Sequence, residues 1–174
     1  SDTEGCIQCQ MGSKLVLFIT GNCHWQCDYC PLSETRRDID WMFANERRCE
    51  TFEEVIEEAR AMRATGAGIT GGDPLMARER TLEGISRLKS EFGPGFHLHM
   101  YTSIPFNPEL AREFADAGLD EIRFHFLGLD AERYRSTISA CSDSGILTGV
   151  EIPCEPDKRE EPVSYTHLTL PTNA

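Results

Sequence analysis

The sequence predicts an α/β protein built on a parallel sheet or barrel, and three observations support this prediction. Strand-like segments alternate with helix-like segments from Lys14 to about residue 156. Glycine and proline separate these segments, as expected where a chain turns. Polar residues occupy every second position in the later strand segments. Strands separated by helices at this spacing form right-handed βαβ units, which place successive strands side by side in parallel.

Each predicted strand has its own signal. The first, at residues 15–20, is a continuous apolar run typical of a strand buried on both faces. The second, at residues 67–70, is short and ends in a Gly-Gly-Asp-Pro sequence. The third, fourth and fifth strands are predicted at residues 96–103, 120–127 and 146–152.

The intervening helices are predicted from their capping residues. Thr51 and Glu54 form a capping box for a helix that runs to about residue 65, and Gly66 is the expected C-terminal cap. Asn107 followed by Pro108 is typical of a helix start. The remaining helices are predicted at residues 81–92, 107–117 and 130–145.

Polar residues of the last three strands share one face of each strand: His97, His99, Tyr101, Arg123, His125 and Glu151. Their apolar neighbours in sequence should pack under the outer helices. We therefore expect the polar set to line the interior of a barrel. Such buried polar groups either meet a ligand or satisfy one another, and the sequence leaves both alternatives open.

Net charge and the lengths of the apolar runs argue against two classes of protein, nucleic-acid-binding and membrane-spanning. The formal net charge is −12, which argues against tight non-specific binding to nucleic acid. No apolar run approaches the roughly 20 residues that span a bilayer, and the N-terminus shows no leader-like pattern. The expectation is a protein without a membrane segment, located in the cytoplasm.

Three regions are predicted along the chain. Residues 1–13 form an N-terminal segment with a C-x2-C pair, and residues 14–162 form the core. Residues 163–174 contain no charged residue, in a chain of which 26% is charged. We interpret them as a non-native tail, with a sixth strand as the alternative.

The cysteines carry the chemical signal. Eight cysteines in a chain expected in the cytoplasm indicate metal ligands or reactive thiols rather than disulfides, and their clustering favours metal. Cys23, Cys27 and Cys30 form a C-x3-C-x2-C loop directly after the first strand. Three thiolates at these spacings can ligate three irons of a [4Fe-4S] cluster and leave the fourth iron without a protein ligand.

A second pair, Cys6 and Cys9, precedes the first strand. It could belong to a second metal or iron–sulfur site completed by other cysteines, or be two inert thiols. The alternative function for the whole chain is a non-catalytic zinc- or iron–sulfur-binding module. Its zinc form would use Cys6, Cys9 and two of the three loop cysteines in one tetrahedral site.

The cysteine spacing, the aromatic Tyr29 before the last cysteine and the Gly-Gly-Asp-Pro after the second strand resemble the radical S-adenosylmethionine (SAM) superfamily. The resemblance covers roughly residues 14–156. It implies a partial (βα)6 TIM-type barrel, here truncated after about five βα units. It also implies a [4Fe-4S] cluster that cleaves SAM reductively to a 5′-deoxyadenosyl radical, which abstracts hydrogen from a substrate.

The same resemblance implies roles for individual residues. Tyr29 would pack near the adenine, and Gly71, Gly72, Asp73 and Pro74 would receive the SAM amino group. Asp73 stands where the family usually has glutamate. Thr102 and Ser103 would contact the SAM carboxylate or ribose, and Glu151 would approach the adenosyl group. No side chain is assigned as a catalytic acid or base.

Residues 17–21, 29–33 and 44–47 are similar to archaeal proteins related to pyruvate formate-lyase activating enzymes. Two versions of the reaction stay open. One is an activase that places a glycyl radical on a partner protein; the other is an enzyme that modifies RNA or a small molecule, which the polar faces of the strands favour. The superfamily resemblance also implies an external electron donor of the ferredoxin or flavodoxin type. The substrate itself is not readable from the sequence.

Overall fold

In the part of the chain that the structure describes, seven strands form a single mixed, open sheet. The computed structural model describes residues 3–27, 30, 32–126 and 131–152. The strands are β1 (Lys14–Phe18), β2 (Met42–Ala44), β3 (Arg47–Cys49), β4 (Gly66–Thr70), β5 (His97–Thr102), β6 (Glu121–His125) and β7 (Leu147–Glu151). Their order in the sheet is β3-β2-β1-β4-β5-β6-β7. Strands β1 and β4 to β7 are parallel, whereas β2 and β3 are antiparallel.

Five helices accompany the sheet in the described part of the chain. They are α1 (Glu4–Gln10), α2 (Phe52–Ala61), α3 (Arg78–Phe92), α4 (Pro108–Ala117) and α5 (Arg135–Asp143). Short 3-10 turns at residues 74–77 and 131–134 lead into α3 and α5. The predicted α/β class is confirmed. The partial barrel is not, because the sheet is open, with β3 and β7 at its two edges among the described residues.

The antiparallel hairpin of β2 and β3 was not predicted. It extends the sheet beyond β1, with Leu17 of β1 paired to Ala44 of β2. Asn45 at its turn has a positive φ of 54°, which asparagine tolerates better than most residues. The Asn45 amide donates to Val16 O at 2.8 Å, and its side chain accepts from Val16 N at 3.1 Å. These two bonds hold the turn against β1.

Helix capping was predicted correctly at some ends and wrongly at one. The capping box at the start of α2 is confirmed, with Glu54 N donating to Thr51 Oγ1 at 3.4 Å and Thr51 N donating to Glu54 Oε2 at 3.2 Å. The prediction for Gly66 is wrong, since α2 ends at Ala61 and Gly66 is the first residue of β4. Arg63 takes the left-handed conformation instead, with φ of 55°.

The hydrophobic core lies between the sheet and helices α2 to α5. Leu98 and Met100 of β5 and Ile122 and Phe124 of β6 are fully buried on this side. Phe114 of α4 packs with the same core. The predicted alternation of apolar and polar residues along these strands is therefore confirmed.

Helix α1 covers the opposite, polar face of the sheet at the amino ends of the strands. A Cβ at Gly5 would stand 2.9 Å from Glu121 Oε2 and 3.0 Å from Lys14 Nζ, so the helix backbone lies directly on these groups. Lys14 Nζ in turn lies 3.0 Å from His97 Nδ1. The polar face is thus covered by the chain's own N-terminal segment at one end.

Within the described residues, the helices lack the length and apolar character needed to cross a bilayer. The tail at residues 163–174 lies outside the described residues, as do Tyr29 and Cys154.

Candidate functional site

A cavity of about 400 Å³ lies at the carboxyl ends of the parallel strands. The loop after β1 lines it with three thiols, and the segment after β4 faces them. All of the following predicted site residues line this cavity: Cys23, Cys27, Cys30, Gly71, Gly72, Asp73, Pro74, Thr102, Ser103 and Glu151. The fold therefore gathers side chains from four separate stretches of sequence. Tyr29, the remaining predicted cofactor residue, lies outside the described residues.

Main-chain hydrogen bonds tie the cysteine loop to the segment after β4. Gly72 N donates to Thr20 O at 2.7 Å, and Asp73 N donates to Asn22 O at 2.8 Å. Within the loop, Cys30 N donates to Cys27 O at 3.0 Å. These bonds fix the start of the cysteine loop against the segment after β4.

Gly72 has no room for a side chain. A Cβ at this position would stand 2.2 Å from Asn22 O and 2.7 Å from Gly21 O, both main-chain atoms. We expect Gly72→Ala to lower the free energy of unfolding by about 2 kcal/mol, because overpacking against backbone cannot be relieved by a rotamer change. Urea unfolding of the two proteins measures this difference.

The matched control is Gly95→Ala, where a Cβ would meet nothing within 4 Å. Its free energy of unfolding should stay within about 0.5 kcal/mol of the parent. Equal losses in both variants would contradict the close approach of the two segments.

A brace of side chains supports the end of β1 from outside the cavity. Arg80 Nη1 donates to Ile19 O at 2.9 Å, and its guanidinium forms two hydrogen bonds to Asp40, of 2.7 and 3.0 Å. Thr20 Oγ1 also donates to Asp40, at 2.8 Å. These donors hold the pKa of Asp40 below its usual range. Sequence reasoning missed this brace, since its members are far apart in the chain and form no motif.

Asp73 is a structural anchor of the cavity wall. It is 1% exposed, and its Oδ1 accepts from Thr102 Oγ1 at 2.8 Å and from Leu75 N at 3.0 Å. Its Oδ2 accepts from the Ser103 amide and hydroxyl, both at 2.8 Å. The carboxylate therefore fixes the end of β5 to the end of β4. Sequence reasoning gave the Asp73 side chain no such role.

The hydroxyl protons of Thr102 and Ser103 are used in these bonds. Ser103 O additionally accepts from Tyr134 Oη at 2.6 Å, and Ile104 N donates to Thr102 Oγ1 at 3.1 Å. Contact of these residues with SAM stays a prediction. Any such contact would have to use an oxygen lone pair or the backbone rather than the donated hydroxyl protons.

The three loop cysteines line one cavity. Among the described residues, no three His, Cys, Asp or Glu side chains converge closely enough to hold a single metal ion. Burial raises the pKa of Cys23, so a cationic ligand is needed to favour its thiolate. The indole N–H of Trp25, in the same wall, is buried without an acceptor in the described chain. Three thiols around a shared cavity with an unpaired donor fit a sulfide-containing cluster.

The polar face of the sheet forms the far wall of the cavity. Tyr101, His125 and Glu151 line it, from β5, β6 and β7. Arg123 Nη1 donates to Glu151 Oε1 at 3.2 Å, beneath the cavity. Burial is the main cause that raises the pKa of Tyr101 to about 12, so this residue stays a neutral hydrogen-bonding group. The predicted polar set thus lies on one face, partly paired within itself.

His99 lies deeper on this face and is 4% exposed. Its ring packs edge-on against Tyr101, with centroids 4.9 Å apart, and its Nδ1 has no hydrogen-bond partner in the described chain. Burial lowers the pKa of His99 to about 3. The folded protein therefore holds this imidazole in its neutral form.

A pH dependence of stability follows from His99. Between its folded pKa of about 3 and its ordinary value near 6.5, the unfolded chain binds a proton that the folded chain refuses. The contribution of the neutral His99 to stability is fully present above the pKa of histidine in the unfolded chain. It is lost progressively as the pH falls from that value towards the folded pKa. Because of His99, we expect the free energy of unfolding to be about 2 kcal/mol lower at pH 5 than at pH 7. Urea unfolding at the two pH values measures this loss.

The variant His99→Gln should reduce the difference between the two pH values, whereas His24→Gln, at an exposed position, should leave it unchanged. A pH difference that is identical in the parent and in His99→Gln would show that His99 is not the group responsible.

Cys6 and Cys9 do not line the cavity. They lie on α1, at the opposite end of the strands, where Arg123 Nη2 donates to Cys6 Sγ at 3.0 Å. No third metal ligand joins them among the described residues. The described residues therefore do not form the zinc site that would combine this pair with two loop cysteines.

Comparisons with known proteins point to one family. A sequence model described as the radical SAM superfamily matches residues 17–155. A protein of Methanocaldococcus jannaschii, provisionally named a glycyl-radical enzyme activating enzyme, is 44% identical over 167 residues, covering 91% of this chain and 44% of the relative. A probable GTP 3′,8-cyclase of Thermococcus kodakarensis is 27% identical over 139 residues, covering 80% of this chain and 43% of the relative. The chain spans less than half the length of both relatives.

Proposed function

The chain belongs to the radical SAM superfamily, and on this premise we propose that Cys23, Cys27 and Cys30 hold a [4Fe-4S] cluster that cleaves SAM reductively. The observation that carries the proposal is the cavity, which gathers the three thiols and the Gly71–Pro74 segment around one space. The family implies both the cluster and SAM. The residues of this chain would position SAM relative to the cluster.

When bound, the cluster and SAM supply one-electron reduction of the sulfonium, which yields methionine and a 5′-deoxyadenosyl radical. The chain's own residues position the reactants. The three thiolates would hold three irons, and the backbone around Gly72, which is oriented by its bond to Thr20 O, would receive the SAM amino group. Asp73 keeps the end of β5 against this segment, which fixes the depth of the cavity. Tyr29 near the adenine, and Glu151 towards the adenosyl group, complete the proposed site.

The substrate proposal favours a protein. The relative at 44% identity is provisionally named a glycyl-radical enzyme activating enzyme, and its similarity extends over 91% of this chain. We therefore propose that the radical abstracts hydrogen from a glycine of a partner protein. The reducing electron would come from an external ferredoxin or flavodoxin.

A polar small molecule or nucleotide base is the second candidate. It is favoured by the polar wall, where Tyr101, His125 and Glu151 face the cavity. A backbone glycine would need few such partners, whereas a polar metabolite would need several. The relative named as a probable GTP cyclase acts, by its name, on a nucleotide.

The proposal is tested by anaerobic reconstitution of the full chain with iron and sulfide, followed by dithionite and SAM. We expect 5′-deoxyadenosine and methionine in equal amounts. A protein that binds a full cluster but releases no 5′-deoxyadenosine would contradict the proposed reaction.

The two substrate classes separate when a protein fraction and a small-molecule and RNA fraction are prepared from cells grown in deuterated medium. Each fraction is incubated with the enzyme, unlabelled SAM and dithionite, and abstraction of a substrate atom places one deuterium on the 5′ carbon of 5′-deoxyadenosine. Deuterated 5′-deoxyadenosine from the protein fraction would support the activase. Deuterium acquired only from the small-molecule and RNA fraction would overturn the protein substrate.

A further inference from the structure

The C-x2-C pair on α1 is not used by the proposed cofactor site. Cys6 and Cys9 are three residues apart on a helix, so their Cβ atoms are about 5–6 Å apart. A disulfide needs Cβ atoms about 3.5–4.5 Å apart. A small adjustment of one helical turn therefore suffices to join the two sulfurs.

Cys6 occupies a site that favours a thiolate. Its sulfur accepts from Arg123 Nη2 at 3.0 Å, and Thr3 Oγ1 lies 3.5 Å from it, with Glu121 Oε1 3.0 Å from the same hydroxyl. The Arg123 side chain is only 16% exposed, so its charge is weakly screened by solvent. Together these donors lower the pKa of the Cys6 thiol, with Thr3 contributing most. An anionic, hydrogen-bonded sulfur is the state that attacks disulfides.

Cys9 complements Cys6. It is exposed, whereas Cys6 is partly buried, so Cys9 can reach a mixed disulfide formed on Cys6. The bond from Arg123 Nη2 places the Cys6 sulfur against the polar face of the sheet.

We propose that Cys6 and Cys9 form a dithiol–disulfide exchange site for low-molecular-mass disulfides. The Cys6 thiolate attacks the external disulfide, forming a mixed disulfide on Cys6 and releasing one thiolate. The Cys9 thiol passes its proton to that thiolate and attacks the Cys6 sulfur, forming the Cys6–Cys9 disulfide and releasing the second thiol. Two electrons pass from the chain to the external disulfide, and the two protons of the original thiols leave with the products.

Arg123 connects the proposed site to the cavity. Arg123 bonds Cys6 through Nη2 and Glu151 through Nη1, and Glu151 lines the cavity. Oxidation of Cys6 removes an anionic acceptor from Arg123, which leaves its charge to Glu121 and Glu151. Oxidation of the Cys6–Cys9 pair can therefore change the interaction of Arg123 with Glu151 at the cavity wall, without movement of the cysteine loop.

The test equilibrates the full chain anaerobically with mixtures of oxidised and reduced glutathione, followed by acid quenching, alkylation and trypsin. The peptide Ser1–Lys14 contains Cys6 and Cys9, whereas Leu15–Arg36 contains the three loop cysteines. We expect unalkylated Ser1–Lys14, lighter by two hydrogen atoms than the dithiol, to increase with the proportion of oxidised glutathione. Peptides with the buried Cys49 and Cys141 should stay alkylated.

Arg123→Gln removes the stabilisation of the reduced thiolate. It should shift the glutathione equilibrium towards the disulfide by about tenfold, because the lost bond is charge-assisted. If that variant does not fold, Arg123→Lys keeps the charge and should give a smaller shift in the same direction.

Three results would overturn the proposal. They are a Ser1–Lys14 peptide that stays fully alkylated at every ratio, a bond from Cys6 to a loop cysteine, and a stoichiometric metal retained by the parent but lost in Cys9→Ser. None of these depends on SAM cleavage, so this proposal can fail while the proposed reaction stands.

Discussion

Replacing Cys27 with alanine is expected to abolish SAM cleavage. Among the described residues, three thiols line the cavity, and two could not hold a [4Fe-4S] cluster with a single open iron. Loss of a group that only supports a ligand costs roughly 10- to 100-fold in metal affinity, and loss of a ligand should exceed that. Iron content and 5′-deoxyadenosine release after anaerobic reconstitution measure the effect.

Cys49→Ala is the matched control for this experiment. Cys49 is also a free cysteine, but it is buried in β3 and lies outside the cavity. We expect its iron content and 5′-deoxyadenosine release to match those of the parent. A Cys27→Ala protein that still released 5′-deoxyadenosine would remove Cys27 from the proposed ligand set.

Asp73→Ala should destabilise the folded protein more than any other single change at the cavity. It leaves the Thr102 and Ser103 hydroxyls and the Ser103 and Leu75 amides without their acceptor. Each unsatisfied buried donor costs about 1–3 kcal/mol, so we expect a total loss of about 4 kcal/mol after relaxation. Thermal or urea unfolding measures it.

Asp116→Ala is the control for Asp73→Ala, because Asp116 is an exposed aspartate on α4. Its free energy of unfolding should change by less than about 0.5 kcal/mol. If Asp73→Ala were as stable as Asp116→Ala, the carboxylate would not anchor β5 to β4.

Local signals predicted much of the fold. The parallel strands β1, β4, β5, β6 and β7 were each expected within a few residues of their observed bounds. Their signals are local in sequence: an apolar run, a capping box, or alternation along a strand. The capping box at Thr51 and the cap at Asn107, which accepts from Leu110 N at 3.0 Å, are such cases.

Features that depend on distant residues were missed. The β2–β3 hairpin contains Arg47 and Arg48, whose charges do not indicate a strand, and its position depends on pairing with β1. Helix α1 is only seven residues long and is held by Glu121, His97 and Arg123, far along the chain. A short isolated helix is marginal in water, so its signal lies in tertiary contacts.

At the cavity, too, local sequence motifs were predictable and contacts between distant residues were not. The cysteine spacing and the Gly-Gly-Asp-Pro sequence identified residues that prove to share one cavity. The anchoring role of Asp73 could not be predicted, because its acceptor oxygens meet donors about 30 residues away. Trp25 carries no distinguishing signal within the cysteine loop, although its buried N–H faces the same wall.

The central claim is that three thiolates hold a cluster whose remaining iron binds SAM. Electron–nuclear double resonance of the reduced, reconstituted chain, with SAM isotopically labelled at its amino nitrogen, tests it directly. We predict a hyperfine coupling to the label that shows the nitrogen bound to iron. A reduced cluster with a normal spectrum and no coupling to the label would contradict the claim.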